Sequence, residues 1–199
     1  MNVSLILASK SMARNALLRN AGLSFEAIDS GVDEDIIKRE MFGEKPLKVA
    51  MKLAEQKALK VSQQYPDAMV VGADQILGFD GKRYDKLKDL SETFARLKEF
   101  SGKSHFLHTS ICIAQNDEVI WAHTEEPILT MKHLDDHTIE EYLSRTGTDV
   151  LSSVGAYQLE NIGIQLFSKI EGDYFSILGL PLIPLLKFLS GKNVAGSLT

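Results

Sequence analysis

A chain of 199 residues, 44% hydrophobic and 25% charged, is long enough to bury a sizeable core and has an ordinary soluble composition. Its net charge of −5 excludes a broad polyanion-wrapping surface, so no nucleic-acid partner is expected, although a local basic pocket remains compatible with it. The single cysteine, Cys112 in "SICIA", has no disulfide partner and reads as a core residue in a reducing, cytoplasmic compartment. "LILA" is too short for a signal peptide, and "ILGLPLIPLLKFL" is too short and too proline-broken to span a membrane, so no membrane partner is expected.

Residues 4–8 read as a buried strand, followed by a helix from Ser11 to Ala21 with Ser9 or Ser11 as N-cap and Gly22 as C-cap. "SFEAIDS" alternates like a second strand and leads into the acidic "VDEDI". A helix is predicted over 46–64, opened by Pro46, with Ala50, Leu53, Ala54, Ala58 and Val61 at helical spacing. "AMVVGADQILGF" is strand-like and unusually apolar, and Asp80-Gly81 after it signals a hairpin. Asp89 and Glu92 resemble a capping box for a helix ending at Phe100. Strands follow at 105–115, 118–124 and 127–132, then a helix near 136–145 and a loop "TGTDVLSSVGAY". A strand "IQLFSKI", a turn "EGDY" and a helix opened by Pro181 complete the chain. Early alternation of strands and helices, with strands clustering later, predicts one α/β domain over 1–199, a mixed sheet flanked by helices on both sides.

Several polar residues fall where apolar ones belong. Arg14, Leu17, Leu18 and Ala21 share one helical stripe, which places the arginine at its N-terminal end. With Ser9 and Ser11 beside a helix N-terminus, this is either an anion cradle or a capped helix whose arginine reaches solvent. Lys57 lies between Leu53 and Val61 on the apolar face of its helix, so it is paired with a buried carboxylate, aimed at a ligand, or extended to solvent along its stem. Asp74 interrupts "MVVGADQIL", where an ionised carboxylate is costly unless a cation or several donors compensate it. Gly72 and Ala73 before it leave room for a bulky group to approach the backbone. Asp33, Glu34 and Asp35 could supply oxygen ligands to Mg²⁺, or form a solvated acidic face. Glu160 and Asp173 are loop carboxylates near glycines, where turn-forming roles are common.

Other motifs fail. "SGKS" at 101–104 lacks the P-loop's earlier glycine, since position 97 is Leu97, and it follows a helix. No HExxH, zinc spacing or GxSxG elbow occurs, which leaves cations for phosphate and carboxylates for a metal and water.

"LILASKSMARNALL", "DE" at 33–34, "LAEQKA", "VVGADQ", "GKSH", "GAYQLENIG" and "IEGDYFSILGLPL" resemble, in order and spacing, the Maf septum-formation family of nucleoside triphosphate pyrophosphatases, from Leu5 to about Leu186. The resemblance implies an elongated mixed sheet like that of inosine triphosphate pyrophosphatases, with a cleft between two lobes. It implies Mg²⁺- or Mn²⁺-dependent hydrolysis of a nucleoside triphosphate to the monophosphate and pyrophosphate, and it suggests a homodimer. Regulation of cell division through nucleotide binding without turnover is the alternative. By the same likeness Asp74 is the proton acceptor, and Ser9, Arg14, Glu34 and Lys57 fall on the family's motif positions; with these, Glu34 and Asp74 are expected to hold the metal, and Ser9, Arg14, Lys57 and Lys86, joined by Ser11 at the helix N-terminus, to grip the substrate. The usual "SPRR" is "SMAR" here, which puts the small Ala13 at a specificity position, and "GKP" is "DKL", which keeps Lys86. Gln75 and Glu160 resemble the subgroup associated with 7-methyl-GTP, whose cationic base a carboxylate would suit.

Overall fold

Alternation along three apolar strands sorts the core onto two faces of a sheet. In the computed structural model, which describes residues 3–197, the elements are β1 (Leu5–Leu7), α1 (Met12–Asn20), β2 (Glu26–Ala27), α2 (Glu34–Glu40), α3 (Pro46–Ser62), β3 (Met69–Phe79), β4 (Lys82–Tyr84), α4 (Leu90–Phe100) and β5 (Ser104–Gln115). After these come β6 (Glu118–Glu125), β7 (Ile128–Met131), α5 (Asp136–Thr146), β8 (Phe167–Glu171), α6 (Tyr174–Ile177) and α7 (Leu182–Leu189), with 3₁₀ turns at Gly147–Ser152 and Ile162–Leu166. The fold is α/β, with a sheet that mixes parallel and antiparallel pairs.

The chain packs as two compact units. The first takes the chain up to Gln75, His108–Glu125 and everything from Asp173 on; the second takes Ile76–Leu107 and Glu126–Gly172. In the first unit the strand order is β2-β1-β3-β5-β6, with β1 parallel to both β2 and β3 and β6 antiparallel to β5. Leu5 and Leu7, Met69, Val71 and Ala73, and Ile111 and Ile113 pack with Leu17 and Leu18 of α1 and Leu182, Leu185 and Leu189 of α7. The intervening residues Ile6, Ala8, Val70, Cys112 and Ala114 pack with Ala54, Ala58 and Val61 of α3. The period of two thus lays a helical layer against each face.

Gly72 lies on the α3 face of β3, and a Cβ there would meet the Ala54 carbonyl oxygen at 2.1 Å and Ala58 at 2.8 Å. The group that approaches this glycine is therefore the α3 backbone, which corrects the expectation that Gly72 leaves room for a bulky ligand. Close helix–strand contact of this kind brings the next residues along α3 and β3 within reach of one another.

In the second unit Asp80 and Gly81, both at positive φ, turn β3 into the antiparallel β4, as the Asp-Gly pair predicts. Asp89 caps α4 by accepting from the Glu92 amide at 2.9 Å, and Glu92 returns to the Lys88 amide at 3.2 Å, one residue outside the expected box. β7 pairs antiparallel with the start of β5 and with β8. The fully buried His105 stacks on Phe100 at 4.9 Å and lies 2.6 Å from the Tyr157 hydroxyl through Nε2. Burial in this aromatic cluster lowers its pKa to about 4.

Several expected boundaries move. "SFEAIDS" contributes only the two-residue β2, whose residues are both exposed. "VDEDI" opens a helix, because Asp33 caps α2, Glu34 and Asp35 fill its first turn and Lys38 and Arg39 its last, the charge order a helix dipole favours. The first residues of "IQLFSKI" are a 3₁₀ turn, and "EGDY" leads directly into α6, capped by Asp173. Ser11 is the α1 N-cap, and Ala21 is its C-cap with Gly22 following at positive φ. Among the described residues no helix is long and apolar enough to cross a membrane.

Gly72→Ala should push α3 off β3 and lower stability by about 2 kcal/mol in urea unfolding. His105 sets a pH window. Its folded pKa of about 4 lies below the ordinary 6.5, so the unfolded chain alone gains a proton as pH falls from 6.5 toward 4. Stability is full above the upper value and is lost on acidification; between pH 7 and pH 5 the wild type should lose about 2 kcal/mol more than His105→Phe.

Candidate functional site

Asp74 stands in the middle of the eleven-residue β3 and is 6% exposed. It shares the α3-facing side of the strand with Val70 and Gly72, so the carboxylate points at the helix that Gly72 admits. Lys57, one helical turn from both Leu53 and Val61, extends its ammonium to 2.6 Å from Asp74 Oδ1 and 2.7 Å from Glu34 Oε1. Of the readings open for this lysine, the structure selects pairing with a buried carboxylate. Glu34 reaches it from the first residue of α2, where Asp33 Oδ1 accepts from the Asp35 and Ile36 amides. Lys38, one turn along, lies 3.6 Å from the other Glu34 oxygen. Within the acidic triplet, Glu34 is therefore the member joined to Lys57, and Asp33 acts as a cap.

The two carboxyls differ electrostatically. Burial raises the pKa of Asp74, opposed by Lys57 and Arg14. Burial also pushes Glu34 upward, but Lys57, with Lys38 and Arg14, outweighs it and leaves that carboxyl below its ordinary value. The pair thus combines a carboxylate held ready for a proton with one held ionised.

The loop between β1 and α1 supplies the cationic side. Ser11 Oγ accepts from the Arg14 amide at 3.4 Å, and Ser9 Oγ accepts from the Ser11 amide at 3.2 Å and from Arg14 Nη1 at 3.4 Å. Asn15 donates to the Ser11 carbonyl at 2.9 Å and the Ser9 carbonyl at 3.4 Å, which fixes the loop. Arg14 does not extend to solvent: its Nε donates to the Gly179 carbonyl at 2.8 Å, and burial lowers its pKa against the pull of Asp74 and Glu34. Ser9, Ser11 and Arg14 thus gather at a helix N-terminus, and the Arg14 guanidinium feels the charges of Asp74 and Glu34. Asn15 and Gly179 were not singled out from the sequence. Gly179 has φ +94°, and the glycine in "ILGLPL" was the available sign of a turn.

Ala13 lies half-buried in the first turn of α1. Gln75 follows Asp74 but points to the other face of β3, where its Nε2 donates to Thr109 Oγ1 and to the Ser176 and Ile177 carbonyls at 2.9 to 3.0 Å. Lys86 and Glu160 belong to the second unit and are both exposed. Lys86 lines an open cavity of about 560 Å³, where Arg96 donates to the Asp85 carbonyl at 2.7 Å and the Val154 carbonyl at 2.9 Å. Asp173 has the turn-forming role, capping α6 by accepting from the Ser176 amide at 2.8 Å.

Glu34 Oε1 and Asp74 Oδ1, from separate elements, converge on one cation, the Lys57 ammonium. Two carboxylate oxygens so placed fit a hard divalent ion that completes its shell from phosphate oxygens and water. Among the described residues no cluster of three or more His, Cys, Asp or Glu side chains could enclose an ion alone.

Comparison with known proteins gives a family model, described as a Maf-like protein, that matches residues 4–192. Over 189 residues the chain is 46% identical to a nucleoside triphosphate pyrophosphatase of Granulibacter bethesdensis, covering 94% of this chain and 96% of that one. It is 46% identical over 187 residues to a 7-methyl-GTP pyrophosphatase of Rhizobium meliloti, covering 93% and 94%. A 7-methyl-GTP pyrophosphatase of Rhizobium johnstonii is 47% identical over 191 residues, covering 95% and 96%.

Lys57→Met should leave two carboxylates facing each other and cost about 3 kcal/mol at pH 7. The deficit in urea unfolding should narrow as pH falls, because protonated Asp74 no longer needs the ammonium.

Proposed function

The chain belongs to the Maf family, and from that premise we propose that it is an enzyme that hydrolyses nucleoside triphosphates to the monophosphate and pyrophosphate. The observation that carries this reading is the Glu34–Lys57–Asp74 chain of contacts beside a helix N-terminus that bears Ser9, Ser11 and Arg14. A base and a cationic anion-binding edge are the two things that attack on a phosphoanhydride requires.

In this mechanism Asp74 takes the proton from the attacking water. The water oxygen forms a bond to the α-phosphorus, the bond from that phosphorus to the bridging oxygen of the pyrophosphate breaks, and the α-phosphorus remains with the nucleoside. Burial holds Asp74 above the ordinary carboxylate range, which suits a general base, and Lys57 fixes its orientation. Two of the three Lys57 donors engage Glu34 and Asp74, and the third is assigned to a phosphate oxygen. Arg14 and the amides of the α1 N-terminus meet the charge that moves onto the leaving pyrophosphate, an interaction that strengthens in the transition state. Glu34 and Asp74 would hold a divalent metal, Mg²⁺ or Mn²⁺, whose chemistry when bound is neutralisation of phosphate charge. Lys86 enters as a further phosphate ligand on the family resemblance alone.

Relatives named for nucleoside triphosphates in general and for 7-methyl-GTP are equally similar at 46% identity, so overall similarity does not choose the base. We assign that choice to Ala13 and Glu160, whose carboxylate complements a cationic methylated guanine, and not to Gln75, whose role is set out below.

Pyrophosphate release from a panel of nucleoside triphosphates, 7-methyl-GTP included, should require Mg²⁺ or Mn²⁺ and stop in excess EDTA. Asp74→Asn should lower turnover by at least roughly a hundredfold while nucleotide binding persists. Full turnover in that variant would remove Asp74 from the mechanism, and binding without turnover in the wild type would favour a regulatory role.

A further inference from the structure

Gln75 directly follows the proposed base, yet its amide is turned away from it. A primary amide has two N–H groups, and here Nε2 lies 2.9 Å from Thr109 Oγ1, 2.9 Å from the Ser176 carbonyl and 3.0 Å from the Ile177 carbonyl. Thr109 joins the same cluster, since its hydroxyl accepts from Gln75 and donates to the Ser176 carbonyl at 3.0 Å. Ser176 and Ile177 are the last two residues of α6, whose terminal carbonyls take donors from beyond the helix, the Ser176 carbonyl from the Gly179 amide at 3.0 Å and both from side chains. Gln75 and Thr109 supply them. The amide nitrogen could reach a nucleobase only by leaving these acceptors, which would take a donor from the Ile177 carbonyl and one of three donors from the Ser176 carbonyl.

The segment they hold leads to the phosphate side of the site. Two residues after Ile177 the chain turns at Gly179, and the Gly179 carbonyl accepts from Arg14 Nε at 2.8 Å. Ser176 is tied further, with its hydroxyl donating to Glu125 Oε2 at 2.6 Å and its amide to the N-cap Asp173 at 2.8 Å. A short segment pinned at Ser176 and Ile177 thus presents one carbonyl, that of Gly179, to one guanidinium. We infer that Gln75 is a positioning residue for the triphosphate: by clamping the end of α6 it sets the Gly179 carbonyl, which orients Arg14, and it influences catalysis through phosphate grip without contacting the base. This inference rests on the reading of Arg14 as a triphosphate ligand.

Inorganic triphosphate, which carries no base, separates this role from base recognition. In Gln75→Ala, the dissociation constant of inorganic triphosphate, measured by calorimetry, should rise roughly tenfold, the loss of about one hydrogen bond's worth of orientation. KM should rise by a similar factor for GTP and 7-methyl-GTP alike, with kcat less affected and the ratio of their kcat/KM values unchanged. In an Arg14→Ala background, Gln75→Ala should have little further effect on triphosphate binding. Thr109→Val removes the second donor to the Ser176 carbonyl and should weaken triphosphate binding in the same direction, which keeps the test available if Gln75→Ala does not fold. Unchanged triphosphate binding with an altered ratio between the two nucleotides would overturn the inference and make Gln75 a base reader. A wild type that neither binds triphosphate nor releases pyrophosphate would overturn the reading of the site itself.

Discussion

The Lys57 ammonium separates two carboxylates that would otherwise repel each other, and much of the first unit is arranged so that it can. Asp74 comes from a central strand, Glu34 from the start of α2, and Lys57 from the apolar side of α3. Asp74 and Lys57 would each be costly in their own elements. A buried aspartate in an apolar strand lacks solvent, and a buried lysine on a helix face lacks a counter-charge. Brought within 2.7 Å, they satisfy one another, and the contact depends on the absence of a side chain at Gly72, which lets α3 approach.

The electrostatic consequence is an uneven pair. The ammonium serves both carboxyls, but Asp74 is the more deeply enclosed, so desolvation wins there while attraction wins at Glu34. One ion pair therefore yields a group inclined to accept a proton and a group that stays charged, the division of labour that water activation next to a phosphoanhydride requires. Arg14 contributes to both balances from the N-terminal end of α1, so the anion-binding and proton-accepting sides share one field.

The two faces of β3 divide the work further. Asp74 faces α3 and carries chemistry, whereas Gln75 faces the α6 segment and carries geometry, because neighbouring side chains in a strand point to opposite faces. Adjacent residues in "ADQ" thus act on the site along different routes, one through a proton and the other through the placement of a guanidinium.

Much of this was legible beforehand in residues that broke their local pattern. Asp74 in an apolar run, Lys57 on an apolar helix face and Arg14 on an inward stripe each contradicted the periodicity around them, and all three lie in the coupled site. The α2 helix is hidden in the sequence, because an acidic run reads as a solvated surface unless its capping aspartate and trailing basic residues are weighed together. Gly72 reads as space for a ligand because a glycine in a strand does not say which backbone approaches it. By itself the sequence determined the strand and helix periods, the caps and the presence of misplaced charges, all set by neighbours a few residues apart. Only the tertiary structure decided that Lys57 joins Glu34 to Asp74 and that Gln75 turns toward α6, because those outcomes depend on groups 17 to 102 positions apart meeting in space.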